Sequence, residues 1–176
     1  VDGVAMGSPL GPLFANAFMV DFVRKHKVEL VKMGVIKWFR YVDDVFATLT
    51  NRHAAEKILT FLNSQHPNIK FTIEHESDNR LPFLDTMVIR NADTYKTSLY
   101  RKKTFTGVYL NWLSLTTKRY KIGLIHCLMD RIWKICVETD DRDREVDKLR
   151  SILARNDYPN FVVDREIAKF IERKRQ

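Results

Sequence analysis

The segment KWFRYVDDVFATL, residues 37–49, places two adjacent aspartates inside a run of apolar and aromatic residues. Aromatic and β-branched residues on both sides are typical of β-strands, and Asp43-Asp44 is the one plausible interruption. The segment therefore predicts a β-hairpin with both carboxylates at its tip. Either the aspartates only form the turn, or they bind metal ions. Side chains alternate along a strand, so two adjacent carboxylates reach one ion only where the backbone turns between them. Spacing alone favours the plain turn.

The composition of the chain is that of an ordinary globular protein, with 176 residues of which 45% are hydrophobic. Cys127 and Cys136 lack the CxxC spacing of a zinc site or a disulfide framework, so we expect both to pack in helices in a reducing compartment. No apolar run approaches the roughly 18 residues that a membrane span needs. The beginning VDGVAMGSPL has neither an initiator Met nor a basic leader, so we expect an internal part of a longer intracellular protein, nuclear or cytoplasmic.

The positive charge of the chain lies in its second half. Residues 1–95 carry 11 Lys or Arg and 11 Asp or Glu, whereas residues 96–176 carry 19 and 11, which accounts for the net charge of +8. Residues 94–129 contain no acidic residue, and their cations alternate with aromatic rings. This mixture suits a phosphate backbone and its bases, although a solvated basic face over core aromatics explains it equally well.

The regions around the hairpin predict an α+β fold, with one antiparallel sheet and helices on one face. A helix begins between residues 8 and 12 and continues to about residue 33, and Asn51 caps a second helix to about residue 65. A strand is predicted at residues 69–76. The strands LPFLDTMVIR, residues 81–90, and YKTSLYRK, residues 95–102, then form a predicted hairpin closed around residues 91–93. We expect Phe14 and Phe18 to pack against Val45 and Phe46, with Asp43 exposed at the rim of a groove.

From residue 118 onward the apolar residues follow a helical period, which predicts a small three-helix unit. Apolar residues between 122 and 136 mark the first helix, and those between 146 and 153 mark the second. Residues 156–159 predict a turn, and Asp164 is expected to cap the third helix.

A magnesium site needs more donors than the hairpin offers. Mg²⁺ prefers oxygen ligands and is often held by one or two carboxylates together with substrate phosphates. Paired ions of this kind activate an attacking hydroxyl and stabilise a leaving pyrophosphate. At least one further carboxylate is then required, and Asp2, Asp21 and Asp85 are candidates without a clear partner.

Two motifs in this order resemble a known family. FRYVDDVF is similar to the catalytic hairpin of reverse transcriptases, and DGVAMGSPLGPLFANAFM, residues 2–19, resembles the loop and helix that precede it in those enzymes. The segments AMGSPLGP, WFRYVDD, IKFTIEHE, LPFLD and SLYRKKTFTG, together with the final helices, are similar to reverse transcriptases of Penelope-like retroelements. The resemblance covers nearly the whole chain.

The resemblance implies the C-terminal part of a right-hand polymerase palm at residues 1–105 and a helical, thumb-like or helix-turn-helix region at residues 106–176. It implies an RNA-directed DNA polymerase with an RNA template, a DNA primer, deoxynucleoside triphosphates and Mg²⁺ or Mn²⁺, and no membrane partner. The alternative is a non-catalytic, basic, helical nucleic-acid-binding module or a decayed element remnant. An RNA-templated RNA polymerase would share the palm, but its hairpin usually has glycine at the position of Val42.

The same resemblance assigns roles to individual residues. Asp43 and Asp44 become the catalytic metal ligands, with Tyr41 and Val42 beside the primer end. Lys70 is a possible proton donor to pyrophosphate, and residues 83–102 correspond to the primer-grip hairpin. The loop toward template and nucleotide comprises Gly7, Ser8, Pro9, Leu10 and Gly11. The nucleic-acid-binding cations are Arg101, Lys102, Lys103, Lys118, Arg119 and Lys121. The family's third carboxylate precedes residue 1, so we expect the 176 residues alone to bind nucleic acid without extending a primer.

Overall fold

The computed structural model of the chain describes residues 4–5, 7–92 and 94–175. The chain forms two compact units, residues 1–74 and residues 75–176. Asp2, a candidate carboxylate, and Asp93, part of the predicted turn at residues 91–93, lie outside the described residues. The predicted division into parts 1–105 and 106–176 is a division by role and stays a prediction.

The first unit contains a long helix, a two-stranded hairpin and a shorter helix. These elements are α1 (Leu10–Lys32), β1 (Val35–Tyr41), β2 (Asp44–Leu49) and α2 (His53–Ser64). The start of α1 agrees with the prediction, and Ser8 Oγ accepts a hydrogen bond from the Leu10 amide at 3.3 Å. Asn51 caps α2 as predicted, since its Oδ1 accepts from the Ala54 amide at 2.9 Å. Gly34 joins α1 to β1 at a φ of +104°, a conformation that side chains rarely adopt.

The core of this unit lies under the second half of α1. Its buried residues are Phe22, Leu30, Val35, Ala54, Ile58 and Leu62. The predicted burial of Phe14 and Phe18 against Val45 and Phe46 is wrong, because the exposed fractions of the two residues are 55% and 44%. Apolar periodicity along α1 continues beyond the part of the helix whose side chains are buried, so the periodic pattern alone overstates the core.

The strand predicted at residues 69–76 does not form in the described structure. The backbone of Phe71 is bound instead by the side chain of Asn63 on α2. Asn63 Nδ2 donates to the Phe71 carbonyl at 3.1 Å, and Asn63 Oδ1 accepts from the Phe71 amide at 2.7 Å. One side-chain amide therefore satisfies both groups that a neighbouring strand would have paired.

The second unit begins with a three-stranded antiparallel sheet in the order β3 (Arg80–Phe83), β4 (Thr86–Asn91) and β5 (Thr94–Leu99). The predicted strand LPFLDTMVIR is divided in two, because Leu84 turns the chain at a φ of +57°. The predicted single sheet is also wrong. The described strands form two separate sheets, since residues 65–76 supply no strand to join them.

Three helices follow the sheet and confirm the predicted helical unit: α3 (Lys118–Ile135), α4 (Thr139–Ala154) and α5 (Asn160–Arg175). Ile125, Met129, Ile132, Leu153 and Ile167 form the centre of their core, each at most 1% exposed. Asp164 does not cap α5 as predicted. The Pro159 carbonyl starts that helix earlier by accepting from the Val162 and Val163 amides at 3.0 and 3.1 Å.

The two cysteines are both free thiols, and each meets only half of the prediction that they are buried residues of helices, since Cys136 lies just after the end of α3. Cys136 is buried and its pKa is raised, chiefly by desolvation, whereas Cys127 on α3 is exposed. None of the helices in the described ranges is long and apolar enough to cross a membrane.

Candidate carboxylate site and nucleic-acid interface

The two aspartates lie at the exposed tip of the β1–β2 hairpin. Tyr41 pairs with Asp44 across the strands, so the turn residues are Val42 and Asp43 rather than the predicted Asp43-Asp44 pair. Asp44 is the first residue of β2. Both carboxylates are exposed, as expected for Asp43, and so are Tyr41 and Val42, at 60% and 68%. A two-residue turn is tight enough to place adjacent carboxylates at one end of the hairpin.

A hydrogen-bonded arginine fixes this turn and connects it to α1. Arg40 Nη1 donates to the Val42 carbonyl at 2.7 Å, and Arg40 Nη2 donates to Asn16 Oδ1 at 2.5 Å. The turn needs support because Val42 has a φ of +53°, which costs a β-branched residue about 1–3 kcal/mol. Sequence reasoning missed Arg40 and Asn16, which are 24 positions apart.

The loop before α1 leads into the first turns of that helix. Asn16 in this part of α1 accepts the hydrogen bond from Arg40 of the hairpin. Gly7 has a φ of +91°, and a side chain added there would meet no atom of the described residues within 4 Å. Leu10 is 52% exposed, and the Gly11 amide donates to the Ser8 carbonyl at 3.1 Å. The backbone at Gly7 is thus open to a ligand, while Ser8, Pro9, Leu10 and Gly11 form the beginning of the helix.

The two carboxylates at the hairpin supply some, but not all, of the ligands that a magnesium site needs. Asp43 and Asp44 supply hard oxygen ligands, which Mg²⁺ and Mn²⁺ prefer. In the part of the chain that the structure describes, no three His, Cys, Asp or Glu side chains gather into a metal-binding group. Asp21 pairs with Arg24 and Lys25 at 2.9 and 2.7 Å, and hydrogen bonds from Lys25 and then Arg24 lower its pKa.

The other candidate carboxylate is also paired, since Asp85 Oδ2 lies 2.6 Å from Arg131 Nε. The hairpin therefore needs substrate phosphates or a carboxylate from outside the described residues to complete a metal site. Lys70, the possible proton donor, is exposed in the irregular segment between α2 and β3.

Five of the six predicted nucleic-acid-binding cations fall into two groups. Lys102, Lys103, Lys118 and Arg119 are exposed and form no ion pair within residues 7–92 and 94–175. Arg101 is half-buried, contacts the Glu145 carboxylate and lies 5.6 Å from the centre of the Phe105 ring. The exposed group is available to phosphates, whereas Arg101 is held against α4.

Lys121 is a structural residue, contrary to its predicted place among the surface cations. It is only 5% exposed, and its Nζ donates to the carbonyls of Trp112 and Ser114 at 2.5 and 2.7 Å. The ammonium also lies 5.6 Å from the centre of the Trp112 ring. The signal for this burial is present in the sequence, since Lys121 precedes Ile125 and Met129 at the helical spacing of the buried face.

The sequence predictions also missed buried polar groups inside the helical unit, among them Asn156 and Glu166. Asn156, 6% exposed, donates to the carbonyls of Gly107 and Ile152 at 2.8 Å each and accepts from the Tyr109 amide at 2.8 Å. It fixes the segment before α3 to the turn between α4 and α5. Asn in such a turn was predicted only as a turn former.

The second missed group connects α3 to α5. Glu166 is buried, and its carboxylate oxygens lie 3.1 Å from His126 Nε2, 2.9 Å from Arg165 Nε and 3.1 Å from Lys169 Nζ. Burial alone raises the pKa of Glu166, but the hydrogen bonds from Lys169, His126 and Arg165 together lower it below the ordinary value. The carboxylate therefore stays charged and paired at neutral pH.

Comparison with known protein families supports the predicted helix-turn-helix character of the helical region. Residues 108–168 match the family model of the animal helix-turn-helix domain. The match runs from the segment before α3 to the middle of α5. No curated protein matches the chain. No solved structure matches it either. The helix-turn-helix part of the prediction is confirmed in this coarse form.

Proposed function

We propose that this chain binds nucleic acid through its second unit. The match of residues 108–168 to a helix-turn-helix domain carries this proposal. Helix-turn-helix units commonly place one helix against a duplex. Four exposed cations that form no ion pair with the described residues lie before α3 or in its first turn: Lys102, Lys103, Lys118 and Arg119. Their charge can displace counterions from a phosphate backbone.

The dependence of binding on salt tests this proposal. We expect the 176-residue chain to bind DNA and RNA, with an affinity that falls steeply between low and physiological salt. Replacing Lys118 or Arg119 by Ala is expected to reduce the slope of log K against log salt by about 1 each. Lys134→Ala is the matched control, because Lys134 lies on the same helix but is paired with Asp130 at 2.6 Å. Absence of binding even at low salt refutes the proposal.

A second candidate function, RNA-directed DNA polymerisation, is favoured by the exposed carboxylates at the β1–β2 turn. In this proposal Asp43 and Asp44 hold Mg²⁺ or Mn²⁺, while Tyr41 and Val42 lie beside the primer end. A metal ion at such carboxylates supplies activation of a hydroxyl nucleophile and neutralisation of phosphate charge. The hydrogen bonds of Arg40 to Val42 and Asn16 keep the turn next to the helix that begins with the glycine loop.

The partners of that activity are an RNA template, a DNA primer and deoxynucleoside triphosphates. Gly7 leaves space for a close approach of the template or the nucleotide. The sheet and the following segment at residues 83–102 would contact the primer, with Lys102 exposed toward phosphates. This polymerase activity would take place inside the cell, where the RNA template and the DNA primer are found.

Primer extension separates the polymerase from a non-catalytic module. We expect residues 1–176 alone to bind but not to extend a primer, because in their described part no third carboxylate gathers with Asp43 and Asp44. In a protein that also carries the third carboxylate, Asp43→Asn should abolish Mg²⁺-dependent extension on an RNA template while binding changes little. The matched control is Glu74→Gln, a neutralised exposed carboxylate in the same unit. If extension survives Asp43→Asn, Asp43 is only a turn residue.

A further inference from the structure

The three helices of the second unit differ in charge. Helix α3 contains five Lys or Arg residues and one Asp, and α5 contains five Lys or Arg and three Asp or Glu. Helix α4 contains four Lys or Arg and five Asp or Glu. A DNA duplex carries a dense row of phosphate charges, so the helix that contacts it needs an excess of cations. The excess is largest on α3, whereas α4 is acidic.

The cations of α4 and α5 are mostly used inside the unit. Six of them pair with carboxylates: Arg144, Lys148, Arg150, Arg165, Lys169 and Lys174. Arg142 and Arg173 are bound to a backbone carbonyl and to a histidine ring. Among the described residues, Arg155 in the turn between the two helices and Arg175 at the end of α5 remain without a partner. Neither lies on the exposed middle of a helix.

The beginning of α3 offers the free cations that the other two helices lack. Lys118 and Arg119 are exposed and form no ion pair with the described residues. Arg119 shares the exposed face of the helix with Tyr120, Gly123 and Cys127, which recur at spacings of three and four residues. A side chain added at Gly123 would meet no described atom within 4 Å. This face is therefore positive at one end and open in its middle, so a duplex can approach it closely.

The exposed face of α5 has the opposite character. Asp164, Ala168 and Glu172 follow one another at intervals of four residues, and all three are exposed. Asp164 is balanced by Arg150 at 2.9 Å, but Glu172 forms no ion pair in the described part of the chain. In helix-turn-helix units the helix after the turn usually enters the groove. The carboxylates of α5 oppose that arrangement here, because they would lie against phosphates.

We propose that α3 lies in the major groove of a continuous DNA duplex, with Lys118 and Arg119 on the phosphates and Gly123 facing the groove, while α5 stays outside. This inference rests on the proposed nucleic-acid binding and adds which helix binds and which form of nucleic acid it prefers. The major groove of DNA is about 12 Å wide and admits a helix, whereas that of duplex RNA is too narrow. The face of α3 therefore selects duplex DNA over duplex RNA.

Two charge variants at matched positions test which helix binds. Gly123→Glu and Ala168→Glu each place one carboxylate at an exposed small residue in the middle of a helix. Glutamate is a better helix former than glycine, so Gly123→Glu should keep α3 folded. We expect Gly123→Glu to weaken the binding of a DNA duplex by about tenfold or more, because it sets a carboxylate against phosphates. Ala168→Glu should change the affinity by less than about twofold, because salt screens the more distant charge. Fluorescence anisotropy at one salt concentration measures both.

The exposed thiol of Cys127 reports on the same face in the unaltered chain. Cys127 lies one turn beyond Gly123, and the other cysteine, Cys136, is buried. A bound DNA duplex should therefore slow the reaction of Cys127 with an uncharged alkylating reagent severalfold. The matched control combines Cys127→Ser with Ala168→Cys, and its thiol on α5 should react at the same rate with and without the duplex.

The outcomes separate this inference from the function on which it rests. If Ala168→Glu weakens binding as much as Gly123→Glu, or if saturating duplex leaves the rate at Cys127 unchanged, the placement of α3 is refuted. Equal affinity for an RNA duplex of the same length refutes the preference for DNA. Binding of single strands alone refutes the inference and leaves nucleic-acid binding intact. Failure to bind any nucleic acid contradicts the proposed function itself.

Discussion

The two units of this chain differ in how much of their apolar surface they bury. Among the residues that the structure describes, the core cluster of the unit at residues 75–176 has twelve buried residues, whereas the cluster of the unit at residues 1–74 has six. In the smaller unit, Leu13, Phe14, Ile36 and Phe39 are each more than half exposed. The first unit is thus the less stable by itself, because it buries the smaller core.

The units also differ in what their polar side chains do. In the second unit the buried groups Lys121, Asn156 and Glu166 bind loops and helices to each other. In the first unit the carboxylates Asp43 and Asp44 lie on an exposed turn that contains a strained valine. The helical unit therefore uses its internal polar groups to bind its own elements together, whereas the two carboxylates of the hairpin are left exposed.

Limited proteolysis of the full chain is the most direct test of this difference in stability between the two units. We expect cleavage within residues 1–74 to be faster than within residues 75–176 by on the order of tenfold or more, because a smaller core opens more often. Mass spectrometry of the products should show a protected fragment that begins near residue 75. A protected fragment from the first unit would reverse the order of stability that we infer.

Replacing Asn156 by Ala should destabilise the second unit more than the loss of any one of its exposed polar side chains. The substitution leaves the Gly107 and Ile152 carbonyls and the Tyr109 amide without their buried partner. We expect a loss of about 3 kcal/mol in the free energy of unfolding, since each unsatisfied buried group costs about 1–3 kcal/mol. Urea denaturation followed by the fluorescence of the Trp residues measures it. Asn160→Ala, at the exposed start of α5, is the control and should change stability little.

Two lysines in the first turns of α3 sharpen the distinction between buried and exposed cations. Lys121→Met should cost about 2 kcal/mol, because the Trp112 and Ser114 carbonyls lose a charged donor inside the protein. Lys118→Met, three residues earlier and exposed, should leave the unfolding midpoint unchanged. The order of the two effects should be reversed in nucleic-acid binding, because Lys118→Met weakens binding through the loss of a surface charge. Equal unfolding midpoints for the two variants would contradict the structural role of Lys121.

Much of the fold could be predicted because the relevant signals are local. The start of α1 follows from Ser8 and Pro9, the cap of α2 from Asn51, and the three C-terminal helices from their apolar period. The strand at residues 69–76 failed because its hydrogen-bond partner is a single side chain, Asn63, which no strand pattern reveals. Long-range pairing of this kind depends on the tertiary structure.

The candidate site was predicted in its exposed part and missed in its supporting part. Asp43 is identified by the motif around it, whereas the contact of Arg40 with Asn16 spans 24 positions and has no local pattern. Lys121 was misplaced for a different reason. It was counted by its charge among the surface cations, although its spacing from Ile125 and Met129 places it on the buried face.

The smallest expected effect concerns the turn residue Val42 in the first unit. Glycine adopts positive φ values without the clash that a β-branched side chain suffers, so Val42→Gly removes strain of about 1–3 kcal/mol. The greater entropy of glycine in the unfolded chain offsets roughly 0.5–1 kcal/mol of this gain. We therefore expect a net stabilisation of the hairpin by about 1 kcal/mol.

Hydrogen exchange of the β2 amides, read by mass spectrometry, measures this local stability without unfolding the second unit. The exchange of residues 45–47 should slow by roughly fivefold in Val42→Gly, in keeping with a gain of about 1 kcal/mol. Val45→Gly is the control, because it removes a side chain inside β2 and should speed the exchange. If exchange is instead faster in Val42→Gly, relief of backbone strain at Val42 does not determine the stability of the turn. The hydrogen bond from Arg40 to the carbonyl of residue 42 then determines it.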